Sequence, residues 1–247
     1  MNIVITGASS GLGEGMAREF AQRGHNLALC ARRLDRLELL KAELAESAPN
    51  VKVDVQVMDV NDHDQVFTVM KGFQQTFKTL DRVVINAGMG KGASLGTGYF
   101  EANRQTAETN FVGALAQCEA AMQIFRDQGY GHLVTVCSVS AIRGMPGPMT
   151  VYAATKAGLA AMTEGIRADT LGSKIDVTTL YPGYIESEMT ARVRNAPFMV
   201  DTETGCRGLV NAMEKKAVTA FVPWWPWSPL ARLMKWLPLG VIKRMFS

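Results

Sequence analysis

Tyr152 and Lys156, in the run Tyr-Ala-Ala-Thr-Lys, set a phenol and an ammonium four residues apart. On a helix that spacing puts both on one face, one turn along. A phenol titrates near pH ~10 and is a poor proton donor or acceptor at neutral pH. A neighbouring ammonium favours the phenolate and moves the group towards the range where acid–base catalysis is efficient. The same spacing is common on ordinary solvated helices, so the pair takes its meaning from what surrounds it.

The chain that must position the pair alternates short apolar runs with longer amphipathic ones. Strands are predicted over 2–6, 26–31, 51–58, 81–86, 132–138, 175–181 and 219–222, and helices over 12–23, 34–47, 62–77, 100–126, 152–171 and 203–215. Such alternation implies crossover connections and a parallel sheet covered on both faces. Right-handed crossovers make that sheet doubly wound. The reading is an α/β protein with a single Rossmann domain of seven strands over residues 1–222. Its predicted substrate loops lie around 88–98, 142–150 and 184–202, and 223–247 form an apolar, basic extension. The segment Gly-Met-Gly-Lys-Gly-Ala-Ser-Leu-Gly-Thr-Gly over 88–98 reads as a flexible loop from its glycine content.

Composition narrows the classes. Hydrophobic residues make up 47% of the 247, enough for a large core, and charged residues an ordinary 20%. Cys30, Cys118, Cys137 and Cys206 are scattered with no C-x-x-C pair, and His25, His63 and His132 are equally dispersed. This pattern predicts no zinc site, no disulfide framework and a reducing, cytoplasmic setting. Met1 runs straight into the apolar Asn2-Ile-Val-Ile5, which predicts no cleaved secretion signal. The net charge of +3 is local, because residues 219–247 hold four cations and no acid while the rest carries 22 cations against 23 acids. No nucleic-acid footprint results.

Ligands of such sheets bind beyond the carboxyl ends of the strands. After the first strand comes Thr6-Gly7-Ala8-Ser9-Ser10-Gly11-Leu12-Gly13, leading into an amphipathic helix. Glycines at 7, 11 and 13 allow a tight turn, close approach of a pyrophosphate and close helix–strand packing, although a glycine cluster can also be a plain strand–helix turn. The helix start offers free N–H groups and a positive dipole end to phosphate, and placement after the first strand favours a dinucleotide. The second strand ends at Arg32-Arg33, where an NAD site wants an acid for the ribose 2′-hydroxyl and arginine accommodates a 2′-phosphate. A solvated basic turn is the plainer reading of the two arginines; their position favours NADP(H). Asp59-Val60, after the third strand, is placed to hold an adenine amino group, and Asn86-Ala87-Gly88, after the fourth, sets a small turn beside a ribose.

Thr6-Gly7-x-x-x-Gly11-x-Gly13, Asn86-Ala87-Gly88, Asn110, Ser138, Tyr152-x-x-x-Lys156 and Pro182-Gly183 occur in one order over about residues 1–190. Together they resemble the short-chain dehydrogenase/reductase family. The resemblance implies an NAD(P)-dependent oxidoreductase that assembles as a homotetramer or homodimer. It makes Tyr152 the proton donor for reduction. Lys156 lowers the tyrosine's pKa and holds the nicotinamide ribose, Ser138 binds the carbonyl oxygen, and Asn110 anchors a water that links Lys156 to solvent. Gly7, Ser9, Ser10, Gly11, Leu12 and Gly13, with Asn86, Ala87 and Gly88, form the implied cofactor cradle. In Pro182-Gly183-Tyr184-Ile185-Glu186-Ser187, the backbone of Ile185 is implied to meet the carboxamide, and Ser187 stands where the family often has threonine.

The expected function is therefore an NADPH-dependent carbonyl reductase or alcohol dehydrogenase. The alternative is an NADPH-binding sensor or assembly subunit without significant turnover. Met89, Met145, Met149, Met189 and Met199, with the tail tryptophans, suggest an apolar, adaptable pocket for hydrophobic or bulky substrates, unless they simply fill the core.

All four tryptophans, Trp224, Trp225, Trp227 and Trp236, fall in the last 24 residues beside a Leu230, Leu233, Met234, Leu237 stripe. Such a segment suits a lid over the site, a subunit contact, or peripheral contact with a membrane surface. It is too short and too interrupted to span a bilayer.

Ser138 lies fourteen residues before Tyr152, one more than the commonest family interval, and Ser140 competes on the same strand phase. Val134-Thr-Val-Cys-Ser138 reads as a strand end, and Arg143-Gly-Met-Pro-Gly147 can absorb an extra residue. Steady-state turnover of Ser138→Ala is expected to fall to near background while Ser140→Ala stays active; the reverse ranking transfers the assignment to Ser140.

Overall fold

A computed structural model describes residues 1–191 and 196–245. Among them, seven strands form one parallel sheet: β1 (Asn2–Thr6), β2 (Asn26–Ala31), β3 (Val53–Val57), β4 (Arg82–Ile85), β5 (Gly131–Val136), β6 (Ile175–Pro182) and β7 (Thr219–Val222). Their order is β3-β2-β1-β4-β5-β6-β7. The helices are α1 (Gly11–Gln22), α2 (Leu34–Ser47), α3 (His63–Phe77), α4 (Phe100–Ala107), α5 (Gly113–Gln128), α6 (Met149–Asp169), α7 (Thr202–Glu214), α8 (Trp224–Met234) and α9 (Leu239–Met245).

Alternation along β1 shows how the layers form, because successive side chains leave opposite faces of a strand. Val4 packs with Val83 and Leu133 under Met70 and Phe73 of α3 and Phe125 of α5. Ile3 and Ile5 face the other way, with Leu27 and Leu29, under Phe20 of α1, Leu37 of α2 and Leu209 of α7. A sheet buried on both sides needs near-continuous apolar strands, and every residue of β4 and β5 is buried. Asp62 and Asp201 start α3 and α7 by accepting hydrogen bonds from the backbone N–H of Gln65 (3.1 Å) and Thr204 (2.7 Å). Gly129, at φ +78°, ends α5 in the left-handed conformation.

Two sequence expectations are revised. The single helix expected over 100–126 is α4 and α5 joined by a π-helical turn over Glu108–Val112. Such turns insert one residue into a helix and re-aim a side chain; the one here presents Asn110 to the chain at Met89. The glycine-rich 88–98 segment is tied down rather than loose. Asn103 bonds both the N–H (3.0 Å) and the carbonyl (3.1 Å) of Ala93, and Thr106 donates to Lys91 O. The C-terminal segment packs on the domain through part of its stripe. Met234 and Ile242 are buried with Met145 and Ala153, and Arg143 Nη1 donates to the carbonyls of Met234 (2.7 Å) and Lys235 (3.0 Å), closing the end of α8.

At the opposite end of the strands from the ligand side, Arg82 is fully buried. Its guanidinium donates to His132 Nδ1 (2.9 Å), Glu214 Oε1 (2.7 Å) and Met213 O (3.0 Å). With Nδ1 accepting, His132 carries its proton on Nε2 and donates to Thr178 Oγ1 (2.8 Å). Burial, and then Arg82, push its pKa down to about 3, with Asp176 opposing and Lys216 reinforcing. The unfolded chain takes up this proton near pH ~6.5 and the folded chain does not. His132 thus costs no stability above the unfolded value, and stability is lost as pH falls from there towards about 3. The slope is at most about 1.4 kcal/mol per pH unit. Chemical denaturation across that window should show a shallower acid loss for His132→Gln, which keeps an acceptor and a donor without titrating; an unchanged slope contradicts the assignment.

Candidate active site

The strand order reverses between β1 and β4, so their carboxyl ends part and leave a crevice. Thr6 and Asn86 hold the two ends at a fixed separation. Thr6 Oγ1 accepts from the N–H groups of Asn86 and Ala87, both at 3.0 Å, and Asn86 Nδ2 donates back to Thr6 O at 2.9 Å. The glycine turn fits between them. Gly7 has φ +66°, and a Cβ on Gly13 would lie 2.3 Å from Gly7 O and 2.8 Å from Asn86 Nδ2. Only a bare backbone fits there.

A cleft of about 440 Å³ runs along the strand ends. From the β3 side it is lined by Asp59 and Val60, by Arg32 and Arg33, by Gly7, Ser9, Ser10, Gly11 and Leu12, and by Asn86, Ala87 and Gly88. Towards β6 it is lined by Ser138, Tyr152, Lys156, Pro182, Gly183, Ile185 and Ser187. Gly13 and Asn110 stand behind this lining. The first turn of α1 has no side-chain cap; instead Ser10 Oγ accepts from Arg33 Nη2 at 2.6 Å, and Ser9 Oγ accepts from Arg33 Nε at 3.2 Å. Arg33 also pairs with Glu188 across the cleft at 3.3 Å. Uncapped helix N–H groups, two hydroxyls and a guanidinium form a donor set suited to phosphate.

Ser138 Oγ accepts from Ser140 N (3.2 Å) and Ser140 Oγ (2.9 Å), so Ser140, itself buried, supports Ser138 from behind. Burial pushes the phenol of Tyr152 up to about 12, a hydrogen bond with Ser138 pulls it back, and Cys137 and Tyr184 push it further up. The ammonium of Lys156 is drawn down by burial, with Cys137 opposing. Lys156 Nζ donates to Val136 O at 2.8 Å. The ammonium is thus engaged by the end of β5, and burial is the largest influence on both groups. Asn110 Oδ1 accepts from Met89 N and its Nδ2 donates to Met89 O, both at 2.8 Å. A Cβ on Gly88 would sit 3.2 Å from Asn110 Oδ1 and 3.4 Å from Lys156 Nζ, so these groups converge on one small space.

Ala31, Met58, Met89, Thr109, Val136, Cys137, Glu188, Met189 and Thr190 complete the lining. No local pattern signals the Arg33–Glu188 pair or Thr190, whose hydroxyl donates to Ile185 O (2.9 Å) and shapes the 185–190 turn. Glu188 is one of many surface acids until the fold carries it opposite Arg33. Of the methionines expected in the pocket, Met89 and Met189 line it, Met145 packs into the tail cluster, Met149 is exposed and Met199 is half-buried. Beside Gly183, Trp227 is fully buried against Tyr184 and Phe198, with ring centroids 5.8 and 6.0 Å away.

A doubly wound sheet with a glycine turn at its switch point, and with Ser, Tyr and Lys gathered in one cleft, defines a dinucleotide-fold protein. The family model described as short chain dehydrogenase matches residues 1–197, and the chain belongs to that family of oxidoreductases. It is 52% identical over 242 residues to an uncharacterized oxidoreductase of Mycobacterium tuberculosis, covering 98% of this chain and 96% of the relative. It is 35% identical to 11-beta-hydroxysteroid dehydrogenase 1A of Arabidopsis thaliana, covering 90% of this chain and 68% of that one. Among solved structures it resembles an alcohol dehydrogenase of the archaeon Thermococcus sibiricus complexed with 5-hydroxy-NADP, with a TM-score of 0.79 and 27% identity over 89% of this chain and 94% of that one.

A Cβ on Gly183 would lie 2.1 Å from Trp227 Nε1, so Gly183→Ala must displace the indole. Its emission should shift to the red as water reaches the ring; an unchanged spectrum contradicts the described contact.

Proposed function

We propose that the cleft binds NADP(H) and that the protein reduces apolar ketones or aldehydes to alcohols, and oxidises the alcohols in reverse. The observation that carries this reading is the presence of Ser138, Tyr152 and Lys156 in the same cleft as the glycine turn and Arg33. A nicotinamide cofactor supplies hydride chemistry when bound. The chain's residues fit one, through the Gly7–Gly13 cradle, the uncapped start of α1 and the donors Ser9, Ser10 and Arg33, which favour a 2′-phosphate over a bare hydroxyl.

Tyr152 is protonated throughout the neutral range, since its phenol lies near about 12, and this is the form needed to donate to a carbonyl oxygen. Ser138, held from behind by Ser140, donates to the same oxygen and polarises it. Lys156, between Val136 O and the space beside Gly88, holds a ribose and supplies positive charge on the tyrosine's side of the cleft. Asn110 fixes the Met89 backbone that borders this space. In the oxidative direction a bound oxidised cofactor would add positive charge that favours the Tyr152 phenolate. Met89 and Met189 make the substrate end apolar. Exposed Phe100, Phe111, Val112 and Leu115 on α4, α5 and the turn between them support self-association as a homodimer or homotetramer.

NADPH consumption over ketones and aldehydes of increasing bulk tests the reading. Tyr152→Phe should lower kcat by roughly 10²- to 10⁴-fold, the range of a lost general acid. Arg33→Ala should weaken NADPH binding by about 10- to 100-fold, with little change for NADH. Tight NADPH binding without turnover of any carbonyl favours a sensor or assembly subunit instead.

A further inference from the structure

The C-terminal segment has two faces of different character. Inward, Trp227, Ala231, Met234 and Ile242 are buried. Outward, Trp224, Trp225 and Trp236 are 67%, 69% and 86% exposed, and Leu233 and Leu239 are exposed beside them. Arg232, Lys235, Lys243 and Arg244 are exposed along the same segment, and no acid occurs between Lys215 and Ser247. The inward face is anchored to Met145, Ala153 and Arg143, while Trp224, Trp225 and Trp236 stay exposed.

We propose that this outward face docks on an anionic lipid surface. Charge decides between a bilayer and a second copy of the chain. A two-fold contact through one patch sets that patch against itself, so Arg232 and Lys235 would face the same two cations of the second copy across a segment whose side chains include no acid. A surface of anionic headgroups instead offers them charge of the opposite sign. Tryptophans settle at headgroup depth, and leucines reach the acyl boundary. No helix among the described residues is long and apolar enough to cross a membrane, so the contact is peripheral. The same segment packs through Trp227 on Tyr184 and on Phe198, which is itself 54% exposed. Docking there brings the loop bordering the cleft against the lipid, where apolar carbonyl compounds concentrate. Lipid contact requires no turnover, so this proposal and the reductase reading fail separately.

The test is co-sedimentation of the full chain with phosphatidylcholine vesicles prepared with and without phosphatidylglycerol. Binding should appear with the anionic lipid and weaken with salt. Arg232→Gln with Lys235→Gln should lower the partition coefficient by roughly 10- to 30-fold, as expected for two basic residues at an anionic surface. Trp224→Ser with Trp236→Ser should abolish it. Both double variants should retain the native thermal transition, NADPH binding and turnover of a water-soluble ketone. Tyr152→Phe should sediment with vesicles as the unmodified chain does, although it no longer turns over. Equal binding to both vesicle types, or to neither, overturns the proposal. So does a concentration-dependent mass increase that is lost in the tryptophan variant without vesicle binding, which assigns the face to a second copy.

Discussion

The hydroxyl of Thr6 sits where the sheet changes direction, and the site is built outward from it. It joins β1 to the chain leaving β4, and Asn86 returns the bond to the Thr6 carbonyl. This reciprocal pair sets the width of the crevice and packs Gly7 and Gly13 against Asn86 and Ala87 at distances that leave no space for a side chain. Everything that reaches the cleft from β1, α1 and β4 is positioned relative to that joint. The strands around it are buried on both faces, which removes any freedom for the joint to shear.

Across the cleft the governing constraint is burial. Lys156 and Asn110 converge beside Gly88, where a Cβ would lie 3.4 and 3.2 Å from them, and loss of water moves both the Tyr152 phenol and the Lys156 ammonium towards their neutral forms. The result is a phenol whose pKa burial raises and an ammonium engaged by a strand-end carbonyl. The buried Arg82–His132–Thr178 chain at the far end of the sheet satisfies its polar groups internally and takes no part in this chemistry.

Much of this was legible in the sequence because local patterns dictate it. Apolar runs separated by amphipathic ones defined all seven strands, and the ordered signatures from Thr6 to Gly183 marked the residues that the fold gathers on one cleft. Strand ends and helix ends shifted by a few residues, since hydrogen-bond partners rather than composition decide them. What stayed hidden depends on contacts between distant segments. The π-helical turn at Asn110 is required by Met89, the glycine loop is pinned by Asn103 and Thr106, and Glu188 matters only where the fold sets it opposite Arg33. Spacing placed Lys156 beside Tyr152 but could not show that Val136 O claims the ammonium. The tail's composition announced an amphipathic segment, and the packing of Met145 and Arg143 decided which face turns inward.

The most direct test of the account is isotope transfer. An apolar ketone is reduced with NADPH carrying deuterium at the transferred position of C4, and the product alcohol is analysed by mass spectrometry and NMR. The account predicts one deuterium on the carbinol carbon, none arriving from solvent, and loss of the labelled product in Tyr152→Phe. An unlabelled alcohol, or unlabelled ketone recovered beside firmly bound cofactor, contradicts it.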